Sequence, residues 1–322
     1  MTGNSLIRNA LLDGQSIQQQ GDKCCINVGR GELILEKHTT GDWHLAHCQV
    51  SDQDLIPALV LALEHRLDIR CIYLGDSVYS PLLDFVYVSQ QGQRFIWRET
   101  LMQLPELWLS QRRCALPHKQ VLAPNGYHPM RPKPQKGPLY RRYIPELEST
   151  LSLVGLDVDQ HARLFSKWQN SPRVAAFWEQ TGSLDEHTAY LEEQVANDKN
   201  QLLMVCLNEQ PFAYIEAYWT KEDRISPYYE AGDYDRGIHM LVGEQEHRGA
   251  HKVAAWLPSV CHFLYLSDPR TQKIVSEPRA DNSKMIGYLH TYGFAQLKQF
   301  HFPHKRAALM CQLRDTFFSD CF

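Results

Sequence analysis

The sequence predicts an α/β chain of the α+β kind, built as two domains with mixed sheets. Three observations carry that reading. Residues 140–322 alternate strands and helices around one central sheet. Within them, the run Asp235–Leu257 passes from an apolar strand through a glycine-containing turn into a helix. A proline-rich stretch, 122–139, separates this region from a smaller α+β domain over 1–121, and 322 residues suit two domains better than one.

Composition narrows the classes. A net charge of −4 gives no bulk basic surface for nucleic acid or anionic membrane. No apolar run approaches the roughly 20 residues of a membrane helix, and Met1–Ser5 lacks the apolar core of a signal peptide. Nine cysteines without C-x-x-C spacing, two of them adjacent at Cys24-Cys25, read as reduced thiols in a cytoplasm.

In chain order, residues 1–20 are polar and carry no period. Cys24–Val28 and Glu32–Glu36 flank Gly29-Arg30-Gly31, a hairpin signal. His44–Val50 is a strand, Asp52 or Asp54 caps a helix through His65, and Arg70–Leu74 is the next strand. Gln93–Trp97 and Leu101–Ser110 close the first domain. Pro124, Pro129, Pro132, Pro134 and Pro138 fix φ and remove amide donors, so a linker is expected there, its charges Arg131 and Lys133 solvated.

The second domain opens near Tyr140 with a strand at Thr150–Val154. Asp157 or Asp159 caps a helix to Asn170, and Pro172 opens another through Glu179. Ser183 and Glu186 have capping-box spacing for a helix to about Ala196. Gln201–Leu207 and Pro211–Trp219 are strands joined at Asn208-Glu209-Gln210. Ile238–Gly243 is the central strand, and a helix follows from Ala250 through His262. Lys273–Ser276 is a strand, Asp281-Asn282 caps a helix to His290 that Gly293 ends, and Phe294–Phe302 with Arg306–Leu313 make a final pair.

The turn Glu244–Ala250 is the first functional candidate. Helix-start amides lack intrahelical acceptors and sit at the positive end of the dipole, so a pyrophosphate is a natural guest. Neither G-x-G-x-x-G nor G-x-x-x-x-G-K-[ST] is present. Arg248-Gly249 followed by small residues resembles the acyl-CoA turn of the Gcn5-related N-acetyltransferase superfamily, with His251 where a second glycine would stand. An ordinary strand-to-helix turn has the same outline.

Four segments sharpen the likeness: Trp168-x-Asn170-x-Pro172-Arg173-Val174-x-x-Phe177-Trp178-Glu179-Gln180, Asp235-Arg236-Gly237-x-His239, Glu277-Pro278-Arg279-x-Asp281-Asn282 and Phe302-Pro303-His304-Lys305-Arg306. Together they resemble the acyltransferases of hydroxamate siderophore biosynthesis, the group that includes the aerobactin-pathway Nε-hydroxylysine acetyltransferases. The resemblance implies an acetyltransferase fold over 140–322. The strand–helix–strand order of the first domain suggests a degenerate copy of it, with an unrelated bracing domain as the alternative.

The same resemblance implies site roles. Leu241, Val242 and Gly243 would lie along the pantetheine, and Arg248, Gly249, Ala250, His251 and Lys252 would hold the pyrophosphate of acetyl-CoA or succinyl-CoA. His239 and Asp281 would handle the hydroxylamine, Asp281 by orienting His239 or binding the hydroxyl. A hydroxylamine is largely neutral at pH 7, so a weak base such as histidine would suffice. Trp178, Glu179, Arg279 and Tyr292 would border the acceptor, and Tyr288 or Tyr292 would protonate the thiolate. Arg279 binds a carboxylate in one reading and pairs with Glu277 in the other. Trp168, Phe177 and Trp178 are expected in the core, Tyr228, Tyr229 and Tyr234 in a lid or solvated loop, and His304-Lys305-Arg306 on a hairpin near an anion or in solvent. No metal is implied, because His247 and His251 lack a third ligand nearby.

Two alternatives stay open: succinyl transfer to N-hydroxyputrescine or N-hydroxycadaverine, and a non-catalytic CoA-binding scaffold. Expected partners are a small hydroxylamine, other siderophore enzymes and a second copy of the chain, with no nucleic acid.

Overall fold

The computed structural model describes residues 15–77, 79–110, 119–123 and 126–322. The expectations for residues 1–14 and for Pro124 fall outside them. Two compact units emerge, one of residues up to 110 with 143–148 and Phe322, the other of 119–142 with 149–321.

The first unit is built on β1 (Gln15–Gln20), β2 (Lys23–Val28), β3 (Gly31–Lys37), β4 (Trp43–Cys48), β5 (Cys71–Tyr73), β6 (Tyr87–Val88) and β7 (Arg94–Trp97). Alternation decides its inner face: Cys24, Ile26, Leu33, Leu35, Trp43 and Leu45 are buried. Helix α1 (Asp52–His65) packs on β2 and is buried all round from Pro57 to Glu64, rather than on the single apolar face its spacing suggests, and the short α2 (Arg98–Leu101) follows β7. Two details depart from the sequence reading. Ser51, not an aspartate, is the N-cap residue of α1. The polar Gln15–Gln20 forms β1, an edge strand whose partner β2 supplies the apolar side chains that its own sequence lacks.

The second unit carries an eight-stranded sheet in the order β10-β11-β12-β13-β14-β15-β17-β16. These are β10 (Gly137–Ile144), β11 (Ser149–Gly155), β12 (Asn200–Leu207), β13 (Gln210–Trp219), β14 (Arg236–Val242), β15 (Lys273–Ser276), β16 (Phe294–His301) and β17 (Arg306–Leu313). The interval expected to be a linker contains a hairpin, β8 (Gln120–Ala123) with β9 (Gly126–Pro129), and the start of β10. Pro138 fits there because β10 is an edge strand. Arg131 is not solvated. Its Nε and Nη2 donate to Glu222 at 2.6 and 2.8 Å, and its guanidinium lies 4.3 Å from the Trp219 ring centre.

The helices start where short-range chemistry satisfies their first amides. Asp157 accepts from the Gln160 amide and starts α3 (Val158–Gln169). Pro172 opens α4 (Pro172–Trp178), and the full Ser183–Glu186 capping box starts α5 (Leu184–Ala196). Asn208 and Glu209 have φ of 46° and 67°, the left-handed pair of a tight hairpin turn. Helix α6 (Ala250–Ser267) runs five residues past the expected end and contains Pro258, since burial of Val260, Cys261, Phe263 and Leu264 holds it together. Asn282, not Asp281, caps α7 (Ser283–Thr291), accepting from the Met285 amide.

A single parallel pairing shapes the rest. Strands β14 and β15 pair only at Arg236↔Ile274 and Gly237↔Val275. Beyond that point their ladder ends, and a cleft opens between them.

Candidate active site

The cleft has a volume of about 1130 Å³. Of the residues expected to hold the donor, Leu241, Val242, Arg248 and Gly249 line it, whereas Gly243, Ala250, His251 and Lys252 do not. Gly243 has a packing role: a Cβ there would sit 2.0 Å from the Trp168 ring. Trp168 in turn donates its indole N–H to Glu244, which also accepts from Lys167.

Gly249 has φ 107°, which L side chains rarely adopt, and this lets the chain swing from Arg248 straight into α6. No acidic residue occupies the first turn of α6, so its free amides and dipole face no competing charge. Arg173 joins Arg248 here. Its Nη2 donates to the Gly243 carbonyl at 2.9 Å, while its buried Nε has no partner among the described residues. Burial, and then the charge of Arg248, lower its pKa. Sequence reasoning quoted Arg173 only as part of a motif. Its place in the first turn after Pro172 was the available signal.

His239 sits on β14 between two buried carboxylates. Its Nδ1 lies 3.1 Å from Glu216 Oε2 on β13, and its Nε2 lies 2.5 Å from Glu277 Oε1 just after β15. The remaining carboxylate oxygens are also engaged. Glu216 Oε1 accepts from Tyr190 and Tyr214 at 2.6 and 3.0 Å, and Glu277 Oε2 accepts from Tyr218 at 2.7 Å. Burial, and then the carboxylates, push all three phenols up, so they remain donors.

Burial alone would lower the His239 pKa. The charge of Glu277 and hydrogen bonds to both carboxylates overcome it and raise it to about 10. Burial would raise Glu277, but the His239 charge brings it down to about 2, and the hydrogen bond from His239 lowers Glu216 in the same way. Both ring nitrogens therefore donate, and His239 is an imidazolium with no lone pair for a substrate proton. Glu216 carries no sequence signal, and Glu277 stands in a quoted motif only as a possible partner of Arg279, because β13 and β15 approach β14 only through the sheet.

Asp281 does not orient His239, whose nitrogens are taken. It is exposed and pairs with Arg279, Nη2 to Oδ2 at 2.8 Å. Arg279 also reaches Glu179 at 3.2 Å rather than Glu277, so the expected Glu277 pair is absent. Asp281, Arg279, Glu179 and Trp178 nevertheless all line the cleft. Tyr292 does not line it, because one turn further along α7 it lies past the opening, while Tyr288 does. Phe177 is 47% exposed and lies under Arg279 instead of in the core. Tyr228 packs on Phe300 and Phe302, and Tyr229 bonds Thr220 and Asp235, so neither forms a free lid.

Among the described residues no group of three or more His, Cys, Asp or Glu side chains could hold a metal ion, and no helix is long and apolar enough to cross a membrane.

Comparison with known proteins gives this geometry a lineage. The acetyltransferase (GNAT) domain family matches residues 157–302, which contain β12 to β15 and most of the cleft's lining. The N(6)-hydroxylysine O-acetyltransferase of Escherichia coli is 42% identical over 234 residues, 72% of this chain and 74% of that protein. The N(5)-hydroxyornithine:cis-anhydromevalonyl coenzyme A-N(5)-transacylase of Beauveria bassiana is 45% identical over 199 residues, 60% of this chain and 44% of that longer protein. An uncharacterized protein from Bacillus halodurans has a crystal structure that superposes with a TM-score of 0.55 at 28% identity, covering 58% of this chain and 97% of its own. The splayed β14–β15 pair, the Arg248-Gly249 turn and a 42% identical relative aligned over 74% of its length lead to one conclusion: the chain belongs to the acetyltransferase (GNAT) family, alongside the N(6)-hydroxylysine O-acetyltransferase.

Proposed function

We propose that the chain is an acyl-CoA-dependent N-acyltransferase that converts an N-hydroxylated amine into a hydroxamate in siderophore biosynthesis, with acetyl-CoA as donor and N6-hydroxylysine as acceptor. The observation that carries it is the Glu216–His239–Glu277 trio, which lines the same cleft as the Arg248-Gly249 turn in a chain related to enzymes of hydroxylysine and hydroxyornithine acylation.

In this reading the donor's pyrophosphate meets the first amides of α6 with Arg248 and Arg173, and the open edge of β14 at Leu241 and Val242 runs along its pantetheine. The hydroxylamine arrives neutral, its nitrogen attacks the thioester carbonyl, and the nitrogen then sheds a proton. With His239 already protonated and both carboxylates held low, the trio does not take up that proton, which passes to solvent through the open cleft. The imidazolium places a fixed positive charge beside the developing oxyanion. Tyr288, which lines the cleft, protonates the departing thiolate. Arg279 and Asp281 act at the acceptor mouth as a pair. None of the eight described cysteines is in a disulfide, which supports a cytoplasmic location.

The test crosses acetyl-CoA and succinyl-CoA with N6-hydroxylysine, N-hydroxyputrescine, N-hydroxycadaverine and lysine, reading CoA thiol release together with the colour of the ferric hydroxamate. Only acylation on nitrogen produces a hydroxamate, so thiol release that needs the hydroxylamine but gives no colour would mean O-acylation, and release without it would mean hydrolysis. Coloured product from acetyl-CoA and hydroxylysine is expected. Turnover on plain lysine alone would refute the hydroxylamine reading, and no turnover would favour a CoA-binding scaffold.

A further inference from the structure

Resting on that reading, we infer that Arg224, with His304 and Lys305, forms the subsite that recognises a carboxylate on the acceptor, and so selects a hydroxylated amino acid over a hydroxylated diamine.

Three basic side chains that line the cleft converge on one buried aromatic ring behind its wall. The Arg224 guanidinium lies 5.3 Å from the Phe302 ring centre, Lys305 Nζ lies 5.6 Å from it, and the His304 ring stacks on it at 5.5 Å. They come from two separate stretches, the loop after β13 and the turn between β16 and β17, so local sequence does not explain their meeting. Phe302 is itself fixed in a buried cluster with Phe300, Tyr218 and Ile225. All three basic residues line the cleft, and none forms an ion pair with a carboxylate among the described residues.

The nearby acids are committed elsewhere or lie outside contact. Glu277 is bound to His239 and Tyr218, Glu179 to Arg279, and Asp223 caps the Ile225 amide. Burial first, and then repulsion from neighbouring cations, lower the pKa of both His304 and Lys305, and the charge of Glu277, already bound to His239, offsets this only in part. An anion delivered by the substrate would relieve that repulsion.

The position indicates which anion. Lys305 Nζ donates to the backbone carbonyl of Glu277 at 2.8 Å, the residue whose carboxylate holds His239. The cluster therefore adjoins the reacting centre. The phosphate turn lies at the far end of β14, after Val242, whereas Arg224 follows β13, whose last residue Trp219 pairs with the first residue of β14. The donor's phosphates are thus provided for elsewhere. A carboxylate on the small acceptor, or on a dicarboxylic acyl group, is the chemistry that fits, and adjacency to His239 favours the acceptor.

The experiment compares N6-hydroxylysine with N-hydroxycadaverine, the same molecule without its carboxylate, in the wild type and in Arg224→Ala, Arg224→Lys and His304→Ala. The readout is the ratio of kcat/KM for the two acceptors with acetyl-CoA. Arg224→Ala should cut that ratio by about 10- to 100-fold, the range for a lost hydrogen bond to a charged group, chiefly through KM for hydroxylysine. Arg224→Lys should recover part of it, and His304→Ala should show a smaller loss. An unchanged ratio, with both acceptors affected alike, would overturn the subsite while leaving the acyltransferase reading intact. A loss confined to succinyl-CoA over acetyl-CoA would overturn the acceptor assignment in favour of the donor. Absence of turnover with every acceptor in the wild type would overturn the function and the subsite together.

Discussion

Glu277→Gln is the sharpest probe of the buried trio. Glutamine keeps the shape and one acceptor oxygen but removes the charge 2.5 Å from His239. Removing one partner of a buried pair typically costs about 3–5 kcal/mol, and the retained acceptor puts the expectation near about 3 kcal/mol. The pH dependence carries more information. His239 is raised from 6.5 to about 10 in the folded protein, so its contribution is full below pH 6.5 and is lost as pH climbs towards 10. Glu277 is lowered from 4.5 to about 2, so its contribution is full above pH 4.5 and disappears as pH falls through 2. The two shifts report one interaction seen from its two ends and are not summed. The stability gap between wild type and Glu277→Gln should therefore be widest between about pH 4.5 and 6.5 and narrow on both sides. Urea unfolding of both proteins from pH 4 to pH 10, followed by tryptophan fluorescence, measures it. A gap that stays constant across that range would refute the imidazolium and leave Glu277 as a neutral packing partner.

Four further outcomes follow from the geometry. Gly249→Ala forces a side chain into φ 107°, so it should cost about 1–3 kcal/mol and raise KM for acetyl-CoA, measured by denaturation and initial rates. Arg173→Ala should raise KM for acetyl-CoA about 10-fold with kcat nearly unchanged, a loss of roughly one charged hydrogen bond; an effect on kcat alone would show that Arg173 does not serve the phosphates. Trp168→Ala removes a fully buried indole that packs on Gly243 and holds Glu244, and should lower stability by about 3–5 kcal/mol in the same unfolding assay. Asp281→Asn breaks an exposed pair with Arg279, so thermal unfolding should not move, and any effect should fall on hydroxylysine kinetics.

The elements of both units were largely legible because their signals are local. A capping box, a proline at a helix start and a strand–Gly–helix run each lie within a few residues, and the structure places elements at Ser183, Pro172 and Gly249 accordingly. β1 escaped because Gln15–Gln20 has no alternation and depends on its neighbour. The end of α6 escaped because a helix buried on nearly every side has no period to read. The site divides the same way. His239 and the Arg248-Gly249 turn lie in one continuous run. Glu216, Glu277, Arg173 and Arg224 reach the cleft from elements 15 to 75 residues away in the chain, and no spacing rule connects them. Of the two roles expected for Asp281, orienting His239 does not fit the geometry, while binding the hydroxyl stays open. Glu277, four residues earlier, ends β15 beside β14, while Asp281 has already turned outward to Arg279.

The first unit repeats the strand order of the second, and the differences between them bear on which features bind the donor. Its strands run β1-β2-β3-β4-β5-β7-β6, and those of the second unit run β11-β12-β13-β14-β15-β17-β16. In each, the fourth and fifth strands are parallel, are joined by a helix, and pair at only two positions. That is the order a degenerate copy would leave. The two helix starts differ in electrostatics. α1 begins with Asp52 and Asp54, whose carboxylates occupy the positive end of the dipole and repel a phosphate. α6 begins after Arg248 and Gly249 with no acid in its first turn. Where the second unit has α3, α4 and α5, the first has the tight turn between β1 and β2, so it has no counterpart of Arg173, Trp178 or Tyr190. If fold alone conferred donor binding, replacing Asp52 and Asp54 with asparagine would create a second CoA site. We expect calorimetry on that variant to find one site, as in the wild type, because the cationic partner and the helices that wall the cleft are missing. A second site would show that the acidic helix start alone keeps the copy silent.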